Sequence, residues 1–292
     1  MQLEYDYDLG KDYKMTLIYV HHDQASNCFE VFSDSVISSG QQQITDIFPK
    51  INILNIRSRS EVDGSFIQDT QLGFAFAGST LSAHAVLASA AAFLQNLASS
   101  NNAIISIDDA CRLISKIAFT QIKKIAELRV NPQESFIKIA ITGFCPILNK
   151  VVAYTISSEI VGQEFSVSLT EVRPIRSQSP NQENSFGSGT KEFIEYAQNH
   201  QELGAFEMFS SFLKQCDRTD VGGYVQYGIS HAQGFEICPT VETLKQNDSD
   251  IPLNFRQLAG IGLDTDNLMA SPEEEGDRVV VGRLFRGSLS RV

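Results

Sequence analysis

No apolar run in the chain approaches the roughly 20 residues that a membrane-spanning helix requires, so a helical membrane anchor is not expected. The opening residues, MQLEYDYDLGKDYK, are acidic and aromatic, which suits neither a secretory signal nor a basic transit peptide. Basic residues are in the minority. With 23 Lys and Arg against 35 Asp and Glu, the net charge is −12. That balance argues against nucleic acid or an acidic membrane as a partner, because phosphate binding needs clustered Lys and Arg. The five cysteines (Cys28, Cys111, Cys145, Cys216, Cys238) form no CxxC and no Cys/His cluster. Neither a zinc site nor a disulfide framework is expected, and the thiols read as reduced and mostly buried. No repeat with a period of 20–50 residues occurs, so a solenoid is not expected. What remains is the expectation of a soluble cytoplasmic protein with neither cofactor nor metal.

At 292 residues, 42% of them apolar and 20% charged, the chain can bury a sizeable core. Strand patterns occur at 16–22 (TLIYVHH), 28–35 (CFEVFSDS), 50–56 (KINILNI) and 71–79 (QLGFAFAGS). Between the last two, RSRSEVDGSFIQD reads as an exposed loop or a long hairpin. Two helical stretches follow. The first, 80–99, is apolar on nearly every side and is expected to lie buried between other layers. The second, 108–129, begins with Asp108 as its expected N-cap and carries Ala110, Leu113, Ile114, Ile117 and Ala118 at helical spacing. Strands return at 136–143, 150–157 and 164–172, with a polar loop at 176–186. Helices at 190–200 and 203–216 precede strands at 223–230 and 233–239, and 264–278 reads as flexible. Strand runs separated by helix pairs disfavour a parallel doubly wound sheet. They suit an α+β fold, a four-layer α-β-β-α sandwich of two antiparallel sheets flanked by helices. The expected division is an extension at 1–15, one domain at 16–242 and a partly flexible extension at 243–292.

His21 and His22 occupy successive strand positions and so face opposite ways, which disfavours a shared metal. His84, on the apolar helix, reads as a satisfied core residue.

Several local features combine into one pattern. Met15-Thr16-Leu-Ile opens a strand, Ser33-Asp34-Ser35 ends the next, and Lys50-Ile51 opens the third, sixteen residues after Asp34. Phe76-Ala77-Gly78-Ser79 sits at a strand-to-helix junction. Downstream come Gly187-Ser188-Gly189 and Asp217-Arg-Thr-Asp220-Val-Gly-Gly. Over about residues 16–240 this order resembles the β-type subunits of the proteasome and their bacterial relatives, which are N-terminal-nucleophile (Ntn) hydrolases.

The resemblance implies a threonine peptidase, or an amidase for a small amide, with Thr16 as nucleophile and Asp34 and Lys50 beside it. It implies Gly78 N–H as an oxyanion donor and Ser188 as a support for the Thr16 amine. Asp217 and Asp220 compete for one further position, and Asp217 is the expected occupant. Implied partners are a peptide or small-amide substrate, copies of the same chain in a ring or related homo-oligomer, and an ATPase. The chemistry suits these residue types. A hydroxyl needs a base, and a free α-amine has a pKa of about 7.7–8.0, near working pH. A neighbouring ammonium lowers the pKa of both groups. The fold also hosts inactive subunits, so a catalytically silent assembly protein is the alternative.

Thr16 needs a free amine, yet fifteen residues precede it, and Met15 stands where self-cleaving relatives carry glycine. Translation from Met15 followed by methionine removal would expose Thr16 directly. Intact-mass measurement of protein made from the native gene is expected to show a chain beginning at Thr16. A mass that includes Met1 would count against catalysis.

Overall fold

The computed structural model describes residues 16–39, 42–46, 48–158, 172–175, 179–238, 240–246, 249–258 and 261–264. In chain order the elements are β1 (Leu17–Asp23), β2 (Cys28–Ser33), β3 (Ile37–Ser39), β4 (Gln42–Thr45), β5 (Ile51–Ser60) and β6 (Phe66–Gly78). Next come α1 (Thr80–Leu94), β7 (Leu97–Ser99), α2 (Ile107–Glu127), β8 (Ile137–Cys145), β9 (Lys150–Ser157) and β10 (Val172–Pro174). Then β11 (Ser185–Gly187), α3 (Thr190–Asn199), α4 (Ala205–Gln215), β12 (Gln226–His231) and β13 (Gly234–Cys238) follow. β14 (Thr240–Gln246), β15 (Ser249–Leu258) and β16 (Ile261–Asp264) end the described part as a small antiparallel sheet. The expected N-terminal extension, the strand residues 164–171 and nearly all of 264–278 lie outside the described residues.

Two larger sheets organise this mixed α+β fold. The first has the order β11-β1-β2-β12-β13 and the second β10-β9-β8-β6-β5-β7. Both are antiparallel apart from the short parallel pairing of β5 with β7. One apolar cluster joins the facing sides of the sheets, with Ile18, Val20 and Val31 against Ile51, Ala75 and Ala140. A second packs Leu54, Ile56, Phe74 and Phe76 under Ala83, Val86 and Ile114 of α1 and α2. A third packs Leu17, Tyr19, Phe32 and Tyr227 under Phe193, Phe209 and Phe212 of α3 and α4. The alternation of the strands dictates this division, since successive side chains point to opposite faces.

The segment RSRSEVDGSFIQD forms a long hairpin, with β5 and β6 paired from Ile51↔Ala75 to Arg59↔Phe66. Gly64, at φ 71°, serves its turn. Helix α1 stops at Leu94, short of the expected residue 99, because Asn96 N–H closes onto Phe93 O in a tighter turn and residues 97–99 join the edge of β5. It is also less covered than its composition predicts, with Leu81 and Phe93 exposed. The N-cap of α2 is Ser106, whose hydroxyl accepts from Asp109 N–H. Asp108 lies inside the first turn and pairs instead with Arg112 one turn on, at 2.7 Å. Among the described residues no helix is long and apolar enough to cross a membrane.

Phe235 is the main wedge between the sheets. Its ring, fully buried, lies where Gly73 of the facing sheet and Gly228 of its own sheet leave room, and a Cβ at either position would overlap it. Gly73→Ala is therefore expected to cost about 1–3 kcal/mol, and Phe235→Ala about 3–5 kcal/mol. In urea denaturation the double variant should be less destabilised than the sum, since the methyl then enters the space the ring has left. Simple additivity would show that glycine and ring do not compete.

Candidate active site

All of the expected site residues but Asp217 sit at strand ends. Thr16 precedes β1, Asp34 follows β2, and Ser188 follows β11. The registers Leu17↔Gly187, Ile18↔Ser33 and Gln226↔Ser33 put these at one end of the first sheet. Lys50 precedes β5, and Gly78 ends β6, at one end of the second. Lys50 Nζ reaches across to Asp34 Oδ1 at 2.8 Å.

Asp34 is the hub. Its Oδ1 accepts from Leu17 N–H and Lys50 Nζ, both at 2.8 Å. Its Oδ2 accepts from Val36 N–H at 3.3 Å and Gly222 N–H at 3.2 Å. The side chains of Lys50 and Asp34 are 1% and 0% exposed. Burial pushes the Asp34 carboxyl up and the Lys50 ammonium down, and each charge opposes the shift of the other. The Asp220 carboxylate also favours the charged form of Lys50.

Thr16 is 2% exposed, and its N–H donates to Asp220 O at 3.2 Å. Its φ of 108° is an outlier for a β-branched residue and marks stored backbone strain. Gly187, at φ 111°, lies so close that a Cβ there would overlap Thr16 O. Ser188 is buried, and its Oγ has no hydrogen-bond partner of ordinary geometry, although it lies near enough to the Asp220 carboxylate to favour its charged form. Asp217, the expected occupant of the acidic position, is exposed. Asp220 stands at Thr16 instead, because its backbone carbonyl takes the Thr16 N–H while its side chain is clamped by Arg218.

Gly78 has φ 103°, and a Cβ would overlap Phe136 O. Ile137, opposite Gly78, donates its N–H to Ser158 Oγ and accepts from Ser158 N–H at its C=O, both on the far side. The two are thus a non-hydrogen-bonded pair, and the Gly78 N–H turns away from β8, toward the edge where β5 begins. Helix α1 starts immediately after, capped by Ser79.

Residues that sequence reasoning did not single out complete the frame. The Gln226 amide accepts from Lys50 N–H at 2.8 Å and Ile51 N–H at 3.2 Å, and donates to Phe48 O at 2.6 Å. Ser35 Oγ donates to Asp46 O and accepts from Tyr224 N–H. Gly223, at φ 72°, leaves room for that hydroxyl. The Gly222-Gly223 pair was visible as a motif, whereas nothing local marks Gln226. His84 lies edge-on to Phe48 and Phe76, and its Nε2 is buried without a partner, unlike the satisfied core residue expected. Among the described residues no group of three or more His, Cys, Asp or Glu is placed to hold a metal.

Burial raises the Asp220 carboxyl, but hydrogen bonds from Arg218, the nearby Ser188 hydroxyl and the guanidinium charge hold it below its ordinary value of 3.8. Its folded pKa is depressed, so its stabilisation is complete above pH 3.8 and fades as pH falls through the lower folded value. Arg218→Ala is expected to cost about 1 kcal/mol at pH 7, a modest figure because the pair is partly exposed. In urea denaturation the gap between variant and parent should shrink as pH falls below 3.8.

Neither family models nor curated proteins match the chain. The reading of the site therefore rests on its geometry.

Proposed function

We propose that the chain is a threonine-type Ntn hydrolase, built in four layers as an α-β-β-α sandwich. The three apolar clusters, alternating between helix–sheet and sheet–sheet contacts, support that layering. One observation carries the activity: Leu17 N–H and Lys50 Nζ share a single oxygen of Asp34, which holds an ammonium beside the peptide that joins Thr16 to Leu17.

With the Thr16 amine free, the reaction runs as follows. The amine takes the hydroxyl proton as Oγ attacks an amide carbonyl, helped by the Lys50 ammonium, which favours the alkoxide. The Gly78 N–H, at the positive end of α1, stabilises the oxyanion. The C–N bond then breaks, the amine passes its proton to the leaving nitrogen, and an ester remains on Thr16. Water deprotonated by the same amine hydrolyses that ester, releasing the acid and restoring the hydroxyl. Ser188 and Asp220 flank the amine. The φ strain at Thr16 exists only while a peptide bond precedes it, so exposing the amine also relieves that strain. The substrate class is a peptide or small amide. In this reading the protein acts as a cytoplasmic homo-oligomer served by an ATPase.

A second reading has one observation in its favour. Thr16 is almost wholly covered, as it would be in a silent assembly subunit in which Asp34–Lys50 is only a structural pair. Turnover of fluorogenic peptide amides by the Thr16-first protein separates the two. Thr16→Ser should retain activity, while Thr16→Ala should lose at least about a thousandfold. Equal turnover by Thr16→Ala would overturn the hydrolase reading, and absence of turnover by a folded Thr16-first protein would favour the silent one.

A further inference from the structure

A cavity of about 290 Å³ opens far from Thr16, between the β5–β6 hairpin and the β12–β13 turn. Its volume lies near the lower edge of the roughly 300–1,000 Å³ of small-molecule pockets, so it suits a ligand of one ring. Its position follows from the lengths of the strands. Odd-numbered residues of β5 and β6 face the first sheet, as Ile51 and Ala75 do in the intersheet cluster. Further along the same face the apolar residues give way to the cross-strand pairs Asn55↔Gln71 and Arg57↔Asp69. Asn55 lies five residues beyond Lys50, or ~17 Å along the strand, so this site is separate from Thr16.

The lining has a defined chemistry. Three side-chain amides, Asn55, Gln71 and Gln233, border the cavity. Each offers an acceptor oxygen and two donor hydrogens. The only ions in the lining, Arg57 and Asp69, are paired at 3.2 Å, so the cavity carries no net charge. Arg57 bonds through Nε, which leaves its terminal nitrogens to donate elsewhere. The remaining wall includes Phe144, an aromatic ring that is partly buried in the intersheet cluster.

We propose that this cavity binds a neutral polyhydroxylated ring, a monosaccharide or cyclic polyol. Vicinal hydroxyls both donate and accept, and they match planar amide and guanidinium edges. The C–H face of such a ring matches the apolar surface of Phe144. An anion would meet Asp69 as well as Arg57, and a cation the reverse. A purely apolar ligand would strip water from three amides and replace none of those bonds.

The test is calorimetric and saturation-transfer NMR titration of the full chain with glucose, galactose, N-acetylglucosamine and myo-inositol, alongside acetate, inorganic phosphate and cyclohexanol. At least one of the four polyols should bind saturably, and more tightly than all three controls. Asn55→Leu and Gln71→Leu, both at solvent-reaching strand positions, should each weaken it at least about tenfold, with circular dichroism unchanged. Thr16→Ala should leave binding as it was, so failure of the hydrolase reading would not disturb this result. Absence of saturable polyol binding, tighter binding of phosphate or acetate, or affinity indifferent to both leucine variants would each overturn the proposal.

Discussion

A carboxylate and an ammonium removed from water lose several kcal/mol of hydration apiece, and Coulomb attraction alone offsets this only in good geometry. Asp34 and Lys50 meet that condition because Asp34 accepts from Leu17, Val36 and Gly222 N–H as well as from Lys50. Those donors belong to β1, to the segment after β2 and to the turn before β12, while Lys50 leads into β5 of the other sheet. One carboxylate thereby fixes how the two sheets meet at that end. Gln226 reinforces the junction by joining the backbone of Lys50 and Ile51 to that of Phe48. If Asp34 moved, three backbone donors and a buried cation would lose their partner together.

Close approach is the second constraint. Gly187 lets the backbone rest against Thr16 O, Gly78 lets β6 pass Phe136 O, and Gly223 admits the Ser35 hydroxyl. All three have positive φ, where a side chain would be strained as well as crowded. The same device recurs away from the site, where Gly73 and Gly228 make room for the Phe235 ring. Space at the site is set by backbone, leaving the polar side chains to set its charge. Thr16 is the exception, since it carries a Cβ at φ 108°, and the neighbouring frame holds it there.

Much of this was legible in local pattern. Alternation along β1, β2 and β5 placed the strands, and the strand–helix grouping anticipated the mixed α+β class. Asp34 and Lys50 stood out by their spacing and by strand ends that the registers later matched. Other features depended on contacts that periodicity does not show. The N-cap of α2 moved from Asp108 to Ser106 because a hydroxyl two residues earlier reaches the Asp109 N–H. The end of α1 was set by the edge of β5, which takes up residues 97–99.

The sequence by itself determined the alternation of strands and helices and the residue types able to do amide chemistry, because periodicity and side-chain chemistry are local properties. Only the tertiary structure decided that Asp220, and not Asp217, stands at Thr16. Three residues apart in a linker, the two differ in nothing local, and a backbone hydrogen bond to Thr16 with a clamp from Arg218 chose between them. Gln226 was equally invisible, since its partners lie at least 175 residues away in sequence. The orphaned Nε2 of His84 likewise emerged only when Phe48 and Phe76 closed around it. Long-range hydrogen bonds are written in the register of strands, and register exists only once the sheets have formed.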